Sequence, residues 1–329
     1  MVLYSPPYYH TFRCIAAACP DSCCHEWTVD IDPQTAARYR ALEGDLGDRL
    51  RAVLQDTGDG TVMVNEKGRC PMWRDDGLCR IQAQLGHDAL SQTCRQFPRL
   101  RHDYGDFVEL GLELSCPEAA RLILSSDGGF LPQALPGGTE PDYEPEIMDI
   151  LRSSRKEALG YLRTAEDLPH ALAALLLYAH GVQGQLDGDP SPTPSPESCE
   201  AQLGQFHLQG DATLLPAFFG SLEILTDRWR ARLAAPLQEI NWSPQLQRLV
   251  CYFIERYWLQ AISDYDLVCR VKLAIAATLL VGYLGGNVAE TAQLFSKEIE
   301  NDPDNLEAIL DGAYTAPALT DANLLGVLL

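Results

Sequence analysis

The chain has 329 residues, of which 46% are hydrophobic and 22% charged, and its net charge is −21. That composition is typical of a globular protein, at a length that suits one large domain or two ordinary ones. The acidity argues against partners held by bulk electrostatics on an anionic surface, that is DNA, RNA or a membrane, and favours a basic partner. It is unevenly spread: residues 1–130 carry 13 Lys and Arg against 19 Asp and Glu, and residues 131–329 carry 12 against 27.

The opening Met1-Val2-Leu3-Tyr4-Ser5 lacks the basic start and apolar run of a signal peptide. The best apolar stretch, Leu273 to Leu284, has the length of a core helix and not of a membrane span. A cytoplasmic location is the expectation.

In chain order, residues 4–13 read as extended, with Pro6 and Pro7 opposing a helix. Trp27 to Asp32 alternates like a short strand. Asp32-Pro33 is a good N-cap and first position for a helix running to about Leu54. A turn follows at 56–60, then a second short strand at 61–65. Gly68 to Cys79 reads as a compact loop turning at Asp75-Asp76-Gly77. Helices are expected over Arg80 to Leu85, Ala89 to Cys94 and Glu118 to Leu124, with a strand over Phe107 to Leu114.

Residues 131–146, rich in Gly and Pro, read as a linker. Beyond them the apolar spacing is helical throughout, at 147–162, 168–183, 214–232, 244–257, 263–283, 288–300 and 304–310. Residues 187–198 are a Pro/Ser stretch expected to be extended and mobile. The expected fold is mainly α: a cysteine-rich metal-binding module over 1–130 with a few short strands, packed on a helical part over 147–329.

Eight of the eleven cysteines fall in the first part: Cys14, Cys19, Cys23, Cys24, Cys70, Cys79, Cys94 and Cys116. Clustered thiols form disulfides or hold metal, and in a reducing compartment metal is favoured. The spacing matches neither paired zinc knuckles nor a bacterial ferredoxin run. Loops can still converge on one site, so an iron–sulfur cluster and zinc both remain open. His25 is a possible replacement ligand. The arginines among these cysteines (Arg69, Arg74, Arg80, Arg95, Arg99 and Arg101) would favour thiolates, as would a helix starting beside Cys116. Cys251 and Cys269 sit in apolar helical stretches as core residues, and Cys199 has no visible partner. No dinucleotide, phosphate-loop, zinc-protease or nucleophile-elbow motif occurs.

Four stretches of the first part share a pattern: Tyr8 to Trp27 (Y-Y-x-x-F-x-C-I-x-x-x-C-x-D-x-C-C-x-x-W), Cys70 to Gln82 (C-P-M-W-x-x-D-G-L-C-x-I-Q), Thr93 to Arg99 and Leu114 to Arg121. With Phe295 to Leu306 (F-S-K-E-I-E-N-D-P-D-N-L), they resemble the flagellin lysine-N-methylase family and, more loosely, cysteine-rich zinc- or iron-chelating proteins. Asn301 and Asp302 stand where that family has His and Ser, and the Pro/Ser stretch looks like an insertion.

The resemblance implies methyl transfer to lysine amines of flagellin or a similar lysine-bearing protein. The implied donor is S-adenosylmethionine, with an iron–sulfur cluster, [4Fe–4S] in type, on ligands among the eight cysteines. The C-x-x-x-C-x-x-C run of radical enzymes is absent. An iron not bound by protein could take the donor's amino and carboxylate groups. The target amine must shed a proton, for which Tyr8, Tyr9 and Glu298 are candidates by position. The rival reading is a non-enzymatic metal-binding protein whose helical half is a scaffold for a partner.

Overall fold

The computed structural model describes residues 1–24, 28–58, 60–66 and 68–329, so His25, Trp27 and Lys67 lie outside the described residues. The chain starts with strand β1 (Val2–Ser5) and a short helix α1 (Pro7–Thr11). The extended reading of 4–13 is thus corrected. Pro7 occupies the first helical position, where a missing N–H costs nothing.

After the cysteine run come β2 (Val29–Ile31), α2 (Pro33–Ala41), α3 (Gly44–Val53), β3 (Leu54–Thr57) and β4 (Gly60–Met63). Asp32 caps α2 by accepting from Thr35 N at 2.9 Å. The expected single helix to Leu54 is two: the chain leaves α2 at Leu42 in an extended conformation and re-enters at Gly44, whose φ of +79° suits glycine. Strands β2, β4 and β3 form an antiparallel sheet in that order. Its inner face packs with α2 and α3 into a small core around Tyr39, Leu50, Met63 and Met72.

Next come α4 (Arg80–Leu85), α5 (Gln92–Gln96), β5 (Arg99–Asp103), β6 (Phe107–Leu112), α6 (Pro117–Leu124) and β7 (Leu131–Ala134). Helix α5 starts later than expected because Ser91 is its N-cap, accepting from Cys94 N at 3.3 Å. A second sheet runs β5-β6-β1-β7, with β1 parallel to β6 and antiparallel to β7. Strand β7 lies in the stretch read as linker, held on β1 from Val2–Ala134 to Ser5–Leu131.

The remainder is helical: α7 (Pro145–Thr164), α8 (Leu168–Leu186), α9 (Pro196–Glu200), α10 (Leu214–Phe219), α11 (Asp227–Leu233), α12 (Pro244–Tyr257), α13 (Val268–Leu284), α14 (Val288–Ile299), α15 (Pro303–Thr315) and α16 (Asp321–Leu328). The expected helix over 214–232 is divided, and Thr226 restarts it by accepting from Trp229 N at 3.0 Å. Helix α16 was not anticipated. The Pro/Ser stretch lies against α8, where Thr193 Oγ1 donates to Gly181 O at 3.2 Å.

Helix α13 is apolar on almost every face and therefore sits at the centre, packed by α8, α12, α14 and α15. Among the described residues no helix is long and apolar enough to cross a membrane. The large core extends from this helical assembly to Tyr8, Phe12, Phe107, Leu112, Leu114 and Cys116. Residues of the first part thus contribute to two cores, a small one over 29–90 and the large one shared with the helices.

Candidate functional site

The eight cysteines are carried by five local structures. Cys14, Cys19, Cys23 and Cys24 follow α1, with a short 3-10 turn at Ala16–Ala18 between the first two. Cys70 and Cys79 bound a loop closed by a bridge between Trp73 and Cys79 and by a turn in which Gly77 N donates to Arg74 O at 3.0 Å. Cys79 and Cys116 stand at the N-cap positions of α4 and α6, and Cys94 is inside α5. All eleven cysteines are free thiols.

Cys24 is the hub. Its thiol shares hydrogen bonds with Cys23 and Cys70, and Cys70 N donates to Cys24 O at 2.7 Å. The Cys23 field is felt at Cys19, Cys79, Cys94 and Cys116, and the Cys14 field at Cys19. The Cys24 hydrogen bond brings the Cys23 thiol down to about 7, whereas hydrogen bonds to Cys23 and Cys70 push Cys24 far up. Burial lifts Cys94 and Cys116 to about 12. At Cys116 the N–H groups of Glu118 and Ala119 oppose that rise, as a helix N-terminus should, but desolvation wins. The thiols are neighbours. Among the described residues, however, no three His, Cys, Asp or Glu side chains are arranged to hold a metal ion.

Four of the six flanking arginines are engaged elsewhere. Arg74 pairs with Asp76 and Arg101 with Asp103, each at 2.5 Å. Arg69 lies over the Trp73 ring at 4.4 Å, and Arg99 over Phe12 at 5.1 Å. A buried cation, Lys297, reaches the first cysteine run from the far end of the chain. It comes from α14, is 2% exposed, and places Nζ 3.1 and 3.2 Å from the two carboxylate oxygens of Asp21, inside the first cysteine run. Gln293 Nε2, one turn earlier, donates to Asp21 at 2.9 Å and to Ser115 O at 2.8 Å, beside Cys116. Burial alone would raise the Asp21 carboxyl; the Lys297 charge and these hydrogen bonds hold it below the ordinary value. At Cys23 the Lys297 charge favours the thiolate, but the Asp21 charge opposes it more strongly.

The Ser296-Lys297-Glu298-Ile299-Glu300 segment therefore has a physical role. Lys297 holds the cysteine run and Glu298 Oε2 accepts from Leu225 N at 2.7 Å. Glu300 Oε1 accepts from Tyr257 at 2.8 Å and pairs with Arg256 at 3.2 Å, on α12. Three parts of the chain are tied to one helix end. Asp302, where the family has Ser, caps α15 by accepting from Asp304 N and Asn305 N at 3.0 and 3.1 Å.

Of the three candidates for the proton transfer, Glu298 is spent on this anchoring. Tyr9 packs edge-on against His10. Tyr8 lines a cavity of about 100 Å³, with Asp127, Arg163, Arg248, Cys251 and Glu255 among its walls. Sequence reading missed Arg163, Arg248 and Glu255, which come from α7 and α12 and share no local pattern. Cys199 and Cys269 are buried core residues, as expected for the latter.

No protein-family profile matches the chain, and no solved structure does. Curated relatives do. The chain is 35% identical over 130 residues, 36% of its length, to a protein named lysine-N-methylase of Salmonella typhimurium and to one named flagellar biosynthetic protein FliU of Salmonella muenchen. A lysine-N-methylase of Salmonella choleraesuis is equally similar. The match spans 32% of each lysine-N-methylase and 75% of the FliU protein. With three quarters of that relative covered at this identity, the chain belongs to the flagellin lysine-N-methylase family.

Proposed function

We propose that the protein is a protein-lysine N-methyltransferase acting on flagellin or a similar lysine-bearing substrate. Its donor is S-adenosylmethionine, and ligands drawn from Cys14, Cys19, Cys23, Cys24, Cys70, Cys79, Cys94 and Cys116 hold an iron–sulfur cluster of [4Fe–4S] type. The observation that carries this reading is the Asp21–Lys297 clamp. It joins the first cysteine run to the far C-terminal segment, two of the five stretches on which the family resemblance rests.

The donor set fits such a cluster in ligand type: eight free thiols, of which Cys23, Cys24 and Cys70 are in direct contact. The cluster, when bound, would supply redox or Lewis-acid chemistry. Cys24 and Cys70 would hold it, with Cys23, Cys79 or Cys94 completing the set. The methyl donor as a whole does not fit the cavity beside Glu255: about 100 Å³ is well below the several hundred that enclose a ligand of that size. No step is therefore routed through it. What the chain's residues must do is strip the proton from the incoming ammonium and shield the amine from water.

The small cavity also favours a second reading, a non-enzymatic zinc- or iron-binding protein with a helical partner scaffold. One experiment separates the two. The protein is purified without oxygen, iron and sulfide are measured, and it is incubated with S-adenosylmethionine and purified flagellin. Methylated lysines by mass spectrometry establish the enzyme. Metal without methyl transfer establishes the second reading.

A further inference from the structure

Tyr8 and Glu255 each expose only 7% of their surface, yet both line the 100 Å³ cavity and a smaller one adjoining it. Glu255 Oε1 accepts from Gly129 N at 3.0 Å and pairs with Arg163. Among the described residues, neither Glu255 Oε2 nor the Tyr8 hydroxyl makes a hydrogen bond. Neither atom is among the buried ones left without a partner, so each keeps contact with solvent and its bonding capacity is available to a polar guest.

The walls carry both signs. Arg163 commits one nitrogen to Glu255 and keeps the rest of its fork, with a third of the side chain open to solvent. Arg248 faces Asp127 across the rim at 2.8 Å. Two guanidinium groups and two carboxylates leave the cavity without net charge. Ile123 and Cys251 supply apolar wall. A guest carrying both signs can use the free part of the Arg163 fork and the free Glu255 oxygen together. The cavity is also separate from the thiols: Cys116 starts α6 and Ile123 lies near its end, a rise of about 10 Å along the helix.

We propose that this cavity binds the zwitterionic head of an α-amino acid, with its carboxylate on Arg163 and its ammonium on Glu255 Oε2 and the Tyr8 hydroxyl. The inference does not require methyl transfer, since a free amino acid and the amino-acid end of S-adenosylmethionine share this chemistry.

The test is calorimetric titration of the full chain with S-adenosylhomocysteine, L-methionine, L-methionine methyl ester and methylthioadenosine. The proposal requires that at least one of the first two binds. It further requires that removing the carboxylate (the ester) or the whole head (methylthioadenosine) weakens binding tenfold or more. Equal affinity for methionine and S-adenosylhomocysteine identifies a free amino acid as sufficient; binding of the latter alone identifies the nucleoside-linked form. Glu255→Gln and Arg163→Met should each weaken binding about tenfold. Tyr8→Phe, which keeps the ring and the packing, should weaken it severalfold with an unchanged unfolding curve. Binding of methylthioadenosine as tight as that of S-adenosylhomocysteine, no binding by either amino acid, or a Tyr8→Phe affinity equal to wild type overturns the proposal. If methyl transfer fails while these titrations succeed, the proposed function falls and this site stands.

Discussion

Replacing Lys297 with Met probes the junction between the cysteine run and the helical body. Lys297 is 2% exposed and its Asp21 partner keeps 18% of its side chain in solvent. Breaking a buried pair by removing one partner costs about 3–5 kcal/mol, because a charge is left without compensation. Asp21 would still accept from Gln293 Nε2 at 2.9 Å and Ser22 N at 2.7 Å, and it sees some water. The loss in K297M should therefore be nearer 2–3 kcal/mol, read as a drop of about 1 M in the urea midpoint.

The pH dependence follows from the Asp21 shift. Burial pushes its carboxyl up, and Lys297 with the hydrogen bonds more than reverses that. A depressed carboxyl contributes stability above its unfolded pKa, near 3.9, which is lost as pH falls through the folded value. Without Lys297 the lowering of Asp21 is smaller, so the deficit relative to wild type should be largest at neutral pH and shrink as pH falls through the carboxylate range. Asp21→Asn on top of K297M should recover part of the loss, since an uncharged amide is cheaper to leave there. A K297M midpoint within about 0.5 kcal/mol of wild type, or strictly additive single and double variants, would refute this reasoning.

Gly210 lies where a Cβ would meet Val327 N at 2.4 Å and Asn323 O at 2.6 Å, so Gly210→Ala must push α16 away; a loss of about 2 kcal/mol or more by urea unfolding is expected. Asp321 is held at about 2 by its hydrogen bond from His180 and then by Lys272. Its side chain is 42% exposed, so screening cuts the contribution to about 1 kcal/mol. Asp321→Asn should lose about that much at pH 7, and the difference should vanish as pH falls from about 4 to 2, followed by urea midpoints across that range.

Much of the helical architecture is legible in the sequence. Helix α4 runs from Arg80 to Leu85 and α12 from Pro244 to Tyr257 as their periodicity predicts, and Asp32-Pro33 and Pro117 mark real helix starts. Strand β5 is not legible: Arg99-Leu100-Arg101-His102-Asp103 has little strand propensity, and its state is set by pairing with β6. The prolines at 6 and 7 mislead because the same residue that blocks a helix interior starts a helix well.

The cysteines announce themselves by clustering, but their supporting cation does not. Lys297 and Asp21 are 276 positions apart, and only the family resemblance of the Ser296–Glu300 segment hinted at a role. The cavity is harder still, since its charged walls come from α7, α12 and the segment after α6, and none follows a pattern within its own element.

The central claim is that the gathered thiols of the first part hold inorganic iron and sulfide. It is tested most directly by iron, zinc and acid-labile sulfide analysis of anaerobically purified protein, wild type beside Cys24→Ala. The account predicts iron and sulfide in equal amounts in the wild type and the loss of both in the variant, because Cys24 links Cys23 to Cys70. Wild-type protein free of iron and sulfide, with all eleven cysteines open to thiol reagents under denaturing conditions, would contradict it.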